Sequence, residues 1–65
     1  MGKVETPRGA ALRRVAEQEA RITRQEHLIA NLDRIGLASG AAKRLLATMQ
    51  DTLTTLRTSL RHYSN

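Results

Sequence analysis

Residues 39–63 read SGAAKRLLATMQDTLTTLRTSLRHY. Taken every third and fourth residue, Ser39, Ala42, Leu46, Met49, Leu53, Leu56, Leu60 and Tyr63 form an unbroken alternation, the a/d seam of a coiled-coil helix. Neither Gly nor Pro occurs from Ala41 to His62, so the spacing predicts one helix over 40–62, with Ser39 as its N-cap. Five threonines, at 48, 52, 54, 55 and 58, lower its intrinsic propensity, because branched side chains lose rotamer freedom in a helix. Such a helix needs a packing partner.

Working back along the chain, Gly36 follows Ile35 where a left-handed C′ residue would end a helix, and Leu37 at C″ completes a Schellman pattern with Leu32. From Ala10 to Ile35 there is again no Gly or Pro, and Ala, Leu, Arg, Glu and Gln dominate, so a second helix is expected over 10–35. Val15, Ile22 and Ile29 recur at seven-residue spacing as its a positions, with Leu32 at d. Gln18 and Gln25 hold the intervening d positions. Residues 1–9, with the only proline and two of the four glycines, read as an N-terminal arm, although Thr6-Pro7 is an acceptable helix start.

A connection over 36–39 makes the two helices antiparallel neighbours. The fold class is therefore all-α: an antiparallel two-helix hairpin of coiled-coil type. The expected register sets Ile29 opposite Met49, Ile22 opposite Leu56, Val15 opposite Tyr63 and Leu32 opposite Leu46. On the e flank it brings Glu19 to Arg57, Asp33 to Lys43 and Glu26 to Gln50. For the seam glutamines the expectation is a small helix rotation that buries Leu12 and lets the amides reach solvent. The competing reading pairs them across a homodimer.

The other flank carries surplus apolar residues. Leu28, Ile35 and Leu45 fall at g positions beside the seam, where a two-helix pair has no need of them. Left in water they would make an apolar patch, which monomers avoid. The expected completion is a second copy related by a twofold axis, giving a four-helix bundle; a helical surface of another protein is the other candidate.

The chain has 65 residues, one domain's worth, and no Cys. Disulfides, thiolate zinc sites and thiol nucleophiles are thereby excluded, and a cytoplasmic setting is expected. No apolar run approaches the ~20 residues of a membrane span, and Met1-Gly2-Lys3-Val4-Glu5 lacks the apolar core of a signal peptide. Glu17, Glu19, Glu26 and Asp33 are read as solvated or flanking carboxylates. No Glu-x-x-His pair occurs, and His27 and His62 sit on outer or terminal positions. No nucleophile elbow or phosphate loop is present. The expectation is a non-enzymatic chain with no cofactor, metal or small-molecule substrate.

The formal net charge is +5, with 11 basic and 6 acidic side chains. Arg8, Arg13, Arg24, Arg34, Arg44 and Arg61 project away from the seam. Of these, Arg13, Arg24, Arg34, Arg44 and Arg61 are the candidate phosphate contacts if the bundle binds RNA or DNA. The single aromatic, Tyr63, argues against base stacking on single strands. The leading expectation is a protein–protein interaction or regulatory module, and a helical-bundle nucleic-acid binder is the alternative.

The segment Arg24-Gln25-Glu26-His27-Leu28-Ile29-Ala30-Asn31-Leu32, followed by Gly36 and by Ala42-Lys43-Arg44-Leu45-Leu46, resembles a group of short uncharacterised bacterial proteins. In that group an Arg-Gln-x-x-Leu-Ile-Ala-x-Leu helix precedes a Gly turn and an Ala-x-x-Leu-Leu helix. The likeness spans about residues 22–56. It implies a bacterial helical hairpin with no known activity, and Leu37-Ala38-Ser39-Gly40 departs from the more polar turn of the group.

Overall fold

A computed structural model describes residues 6–63. Two helices account for the fold: α1, Pro7–Arg34, and α2, Gly40–Arg61. Among the described residues there is no strand.

Helix α1 begins at Pro7, three residues before the expected start, so the segment 7–9 is helical and not part of an arm. Residues 1–5 of that arm lie outside the described residues. The reason for the early start is the cap: the Thr6 hydroxyl accepts from the Gly9 backbone N–H at 2.9 Å. Thr6 also presents its carbonyl to the Ala10 N–H at 2.9 Å. One orphan donor of the first turn is thus satisfied by the side chain, which offsets the entropic cost of a glycine inside the helix. Helix α2 ends at Arg61, one residue short of the expected end, with His62 as its C-cap.

The C-terminus of α1 closes as a Schellman motif. Leu37 N–H donates to Leu32 C=O at 2.9 Å and Gly36 N–H to Asp33 C=O at 3.2 Å. Gly36 has φ +79°, and a Cβ built there would meet nothing within 4 Å. The requirement for glycine is therefore one of backbone conformation alone. Gly36→Ala is expected to lower stability by about 1–2 kcal/mol, the cost of a left-handed non-glycine residue, read from a chemical denaturation midpoint. An unchanged midpoint would mean that the turn has relaxed to another geometry.

Ser39 departs from expectation. It occupies the N-cap position of α2, but its side chain makes no capping bond. Its buried hydroxyl instead donates to Asp33 Oδ1 at 2.6 Å. Asp33 also pairs with Lys43 Nζ at 3.6 Å. A carboxylate in the last turn of α1 opposes that helix's dipole, yet the turn brings it beside the N-terminus of α2, where negative charge is favoured. Asp33 thus clasps the two helix ends. Four of the five α2 threonines, at 48, 52, 54 and 58, donate their hydroxyls to the carbonyl four residues earlier. This local bonding satisfies the hydroxyls without a tertiary partner.

Burial follows the heptad frame. From Ala11 to Leu60, the residues that are not exposed are Ala11, Val15, Gln18, Ile22, Gln25, Ile29 and Leu32 in α1, then Ser39, Ala42, Leu46, Met49, Leu53, Leu56 and Leu60. All are a or d positions. Tyr63, expected to close the seam, is exposed; it lies two residues past the end of α2, where the helical frame no longer aims it at α1.

The first half of α1 reaches the middle and far part of α2 and its later residues reach the start of α2, Gln18 to Met49 and Glu19 to Arg57, then Gln25 to Ala42 and Asp33 to Lys43, so the hairpin is antiparallel. Its dimensions are 47 × 28 × 13 Å. The thinnest of these matches the ~10–12 Å diameter of a single helix with its side chains. The molecule is a slab one helix thick.

Candidate functional site: an open helical face

The seam is polar where α1 places Gln18 and Gln25. Gln18 is 6% exposed and its Nε2 donates to Met49 C=O at 2.9 Å. Gln25 Nε2 donates to Ala42 C=O at 3.0 Å. Neither expectation for these residues holds: the amides do not turn to solvent, Leu12 stays exposed, and the hydrogen bonds are made within one hairpin. A buried amide left without acceptors would cost about 1–3 kcal/mol, so each glutamine must find one. A helical carbonyl has two lone pairs, one already used by the i+4 N–H, and can accept a second bond.

These bonds also correct the register. In the expected pairing Gln18 faces Leu60, about three turns or ~16 Å of helix from Met49, beyond the reach of a glutamine amide. Sliding α2 by one heptad places Gln18 opposite Leu53 and Gln25 opposite Leu46. The Met49 and Ala42 carbonyls point along the helix toward those leucines and so come within reach of the amides. The same slide sets the ends of the buried stripes together, Ala11 by Leu60 and Leu32 by Ser39. Gln18 and Gln25 are seven residues apart, as are Ala42 and Met49, so one slide satisfies both amides.

Two of the expected e-flank ion pairs nonetheless form: Arg57–Glu19 at 2.8 Å and Lys43–Asp33 at 3.6 Å. Side chains on each helix lean toward its own N-terminus, so across an antiparallel pair they lean toward one another and bridge the displacement. All four side chains are at least half exposed, so each pair contributes at most about 1 kcal/mol.

The g flank is different. Leu28, Ile35 and Leu45 are 45%, 51% and 51% exposed. Leu37 of the turn is exposed as well. Near the turn, one flank is held by charge pairs and the other presents apolar side chains to water.

The five arginines expected to contact phosphate are not brought together. Arg13 pairs with Glu17 at 3.3 Å, and Arg34 bonds Asn31 Oδ1. Arg24, Arg44 and Arg61 are exposed at c, f and b positions spread over both helices. Arg14 and Arg21, which are not among those five, occupy g positions on the same line as Leu28 and Ile35. Counting back seven residues at a time from Leu28 finds them. Arg21 and Arg24, with Glu17 and Ala20, border a shallow surface depression of about 260 Å³.

Among the described residues, no group of three or more His, Cys, Asp or Glu is placed to hold a metal ion. No helix of the described residues is long and apolar enough to cross a membrane. Comparison with protein-family models, curated proteins and solved structures gives no match.

Proposed function

We propose that this chain is a small non-enzymatic interaction module that works by self-association, two hairpins packing the turn-proximal part of their g flanks, Leu28, Ile35 and Leu45, against each other about a twofold axis to form a four-helix bundle. The observation that carries this reading is the lack of a closed core. Among the described residues none has a fully buried large side chain, and the buried apolar residues are only Ala11 and Ile22.

Area supports a second copy as the occupant of the open flank. The chain exposes 5120 Å² at a mass of 7.2 kDa. A compact monomer of that mass exposes about 4100 Å² by the usual scaling. The surplus of about 1000 Å², taken over the whole chain and not the flank alone, is in the direction of a chain that buries surface against a second copy. An isologous contact matches the apolar patch to itself, and Leu28, Ile35 and Leu45 supply its anchors.

Sedimentation equilibrium at micromolar concentration tests the proposal. The expected result is a dimer for the native chain and a monomer for Leu28→Asp/Leu45→Asp, since burying two carboxylates per chain in an apolar interface is prohibitive. A native chain that sediments as a well-folded monomer overturns it.

A further inference from the structure

We infer that the hairpin also binds the phosphate backbone of a nucleic-acid duplex, along a ridge formed by Arg14, Arg21 and Arg24 on the stretch of α1 that precedes Leu28. The ridge shares the g flank with the apolar patch but lies one turn or more before Leu28, outside the turn-proximal contact, and its binding does not depend on association.

Charge placement is the first support. The acids of α1 that could neutralise a basic surface are largely engaged elsewhere: Glu17 by Arg13, Glu19 by Arg57, and Asp33 by Lys43 and Ser39. Glu17 lies at a c position on this flank, but its carboxylate is turned to Arg13 at f. No acidic partner is found for Arg14, Arg21 or Arg24 among the described residues. On α2 the g and c positions beside this stretch are Thr48, Thr52, Thr55 and Ser59, and the one acid of that helix, Asp51, falls at an outer f position. Three arginines without an ion-pair partner among the described residues are thus gathered on a flank where the Thr55 and Ser59 hydroxyls of α2 are not spent on the helix backbone, and arginine and hydroxyl groups together are the usual contacts to phosphate oxygens.

Geometry narrows the ligand. From Arg14 to Arg24 the helix rises about 15 Å, the length over which one strand of a duplex presents about four phosphates. The ridge is a straight helix surface with no loop to enter a groove, which suits recognition of backbone and shape without base readout. Single strands are disfavoured because the chain's one aromatic, Tyr63, lies at the end of α2 and offers no stacking platform. A lipid surface is disfavoured because the g and c positions of α2 beside the arginines carry Thr48, Thr52, Thr55 and Ser59, while the exposed Leu28, Ile35 and Leu45 of this flank lie toward the turn.

Fluorescence anisotropy with labelled 20-base-pair mixed-sequence DNA and RNA duplexes tests the inference on the full chain. Both probes are expected to bind, or one in preference, with log K falling against log salt at a slope of about −3 per chain, the value for three phosphate contacts. Arg14→Ala/Arg21→Ala/Arg24→Ala should weaken binding by roughly tenfold or more at low salt, while Arg44→Ala/Arg61→Ala should leave it within about twofold. Leu28→Asp/Leu45→Asp should keep the slope per chain, so failure of the association reading would not register as failure of this one. Salt-independent binding, no binding at low salt, equal binding to poly-glutamate, or binding to anionic phospholipid vesicles without duplex binding would each overturn it.

Discussion

Ile22→Ala is expected to unfold a large fraction of the protein. Ile22 is 9% exposed, and with Ala11 it makes up the buried apolar residues among those described. Truncating a buried isoleucine removes transfer free energy and leaves a cavity, together about 2–5 kcal/mol. A chain below about 70–80 residues commonly has only 3–5 kcal/mol in total. The loss is therefore comparable to the whole stability, and circular dichroism should show a melt shifted far down or no folded baseline at 25 °C. Leu37→Ala is the control: Leu37 is exposed on the turn, and the change should stay within about 0.5 kcal/mol. A cost below about 1 kcal/mol at Ile22 would show that the seam is not what holds the helices together.

Gln18→Leu/Gln25→Leu should move the protein the other way in stability and loosen its alignment. The two amides leave an apolar seam, and the carbonyls of Met49 and Ala42 keep their helical hydrogen bonds, so no buried group is orphaned. Exchanging each satisfied seam amide for a leucine should add roughly 1 kcal/mol at the buried Gln18 and less at the half-buried Gln25, the sense in which polar seam residues trade stability for specificity. With the amides gone, nothing requires the Ala42 and Met49 carbonyls in particular, and leucine against leucine tolerates a one-heptad slide of about 10 Å. Spin labels at Glu17→Cys and Thr52→Cys, both exposed in the hairpin, should give one distance population in the native seam and a second, displaced one in the double leucine variant. A single unchanged population would assign register to the turn, through Asp33 and Ser39, and not to the glutamines.

The patterns that repeat along the chain are legible from residue spacing. Seven-residue recurrence is a property of one helix viewed along its axis, so the a/d residues, the Schellman end at Gly36 and the flank holding Leu28, Ile35 and Leu45 follow from counting. The glutamines do not yield to counting, because periodicity ranks positions by polarity alone and carries no information on whether an acceptor lies within reach. Counting from Leu28 places Arg14 and Arg21 on the g line, but that they lack an ion-pair partner does not follow from spacing, because it depends on which acids Arg13, Lys43 and Arg57 have already engaged.

The amino-acid order by itself determined two helices, where α1 stops, and the stripe each turns inward, since propensity, glycine conformation and side-chain spacing are local to a segment. Only the tertiary structure decided how far one helix slides along the other, because every seam-on-seam alignment buries leucine about equally well. Two seam amides seven residues apart, bonded to two carbonyls of the facing helix at the same spacing, break that near-degeneracy. The clasp of Asp33 on Ser39 and the division of charge between the two flanks follow from the alignment so chosen.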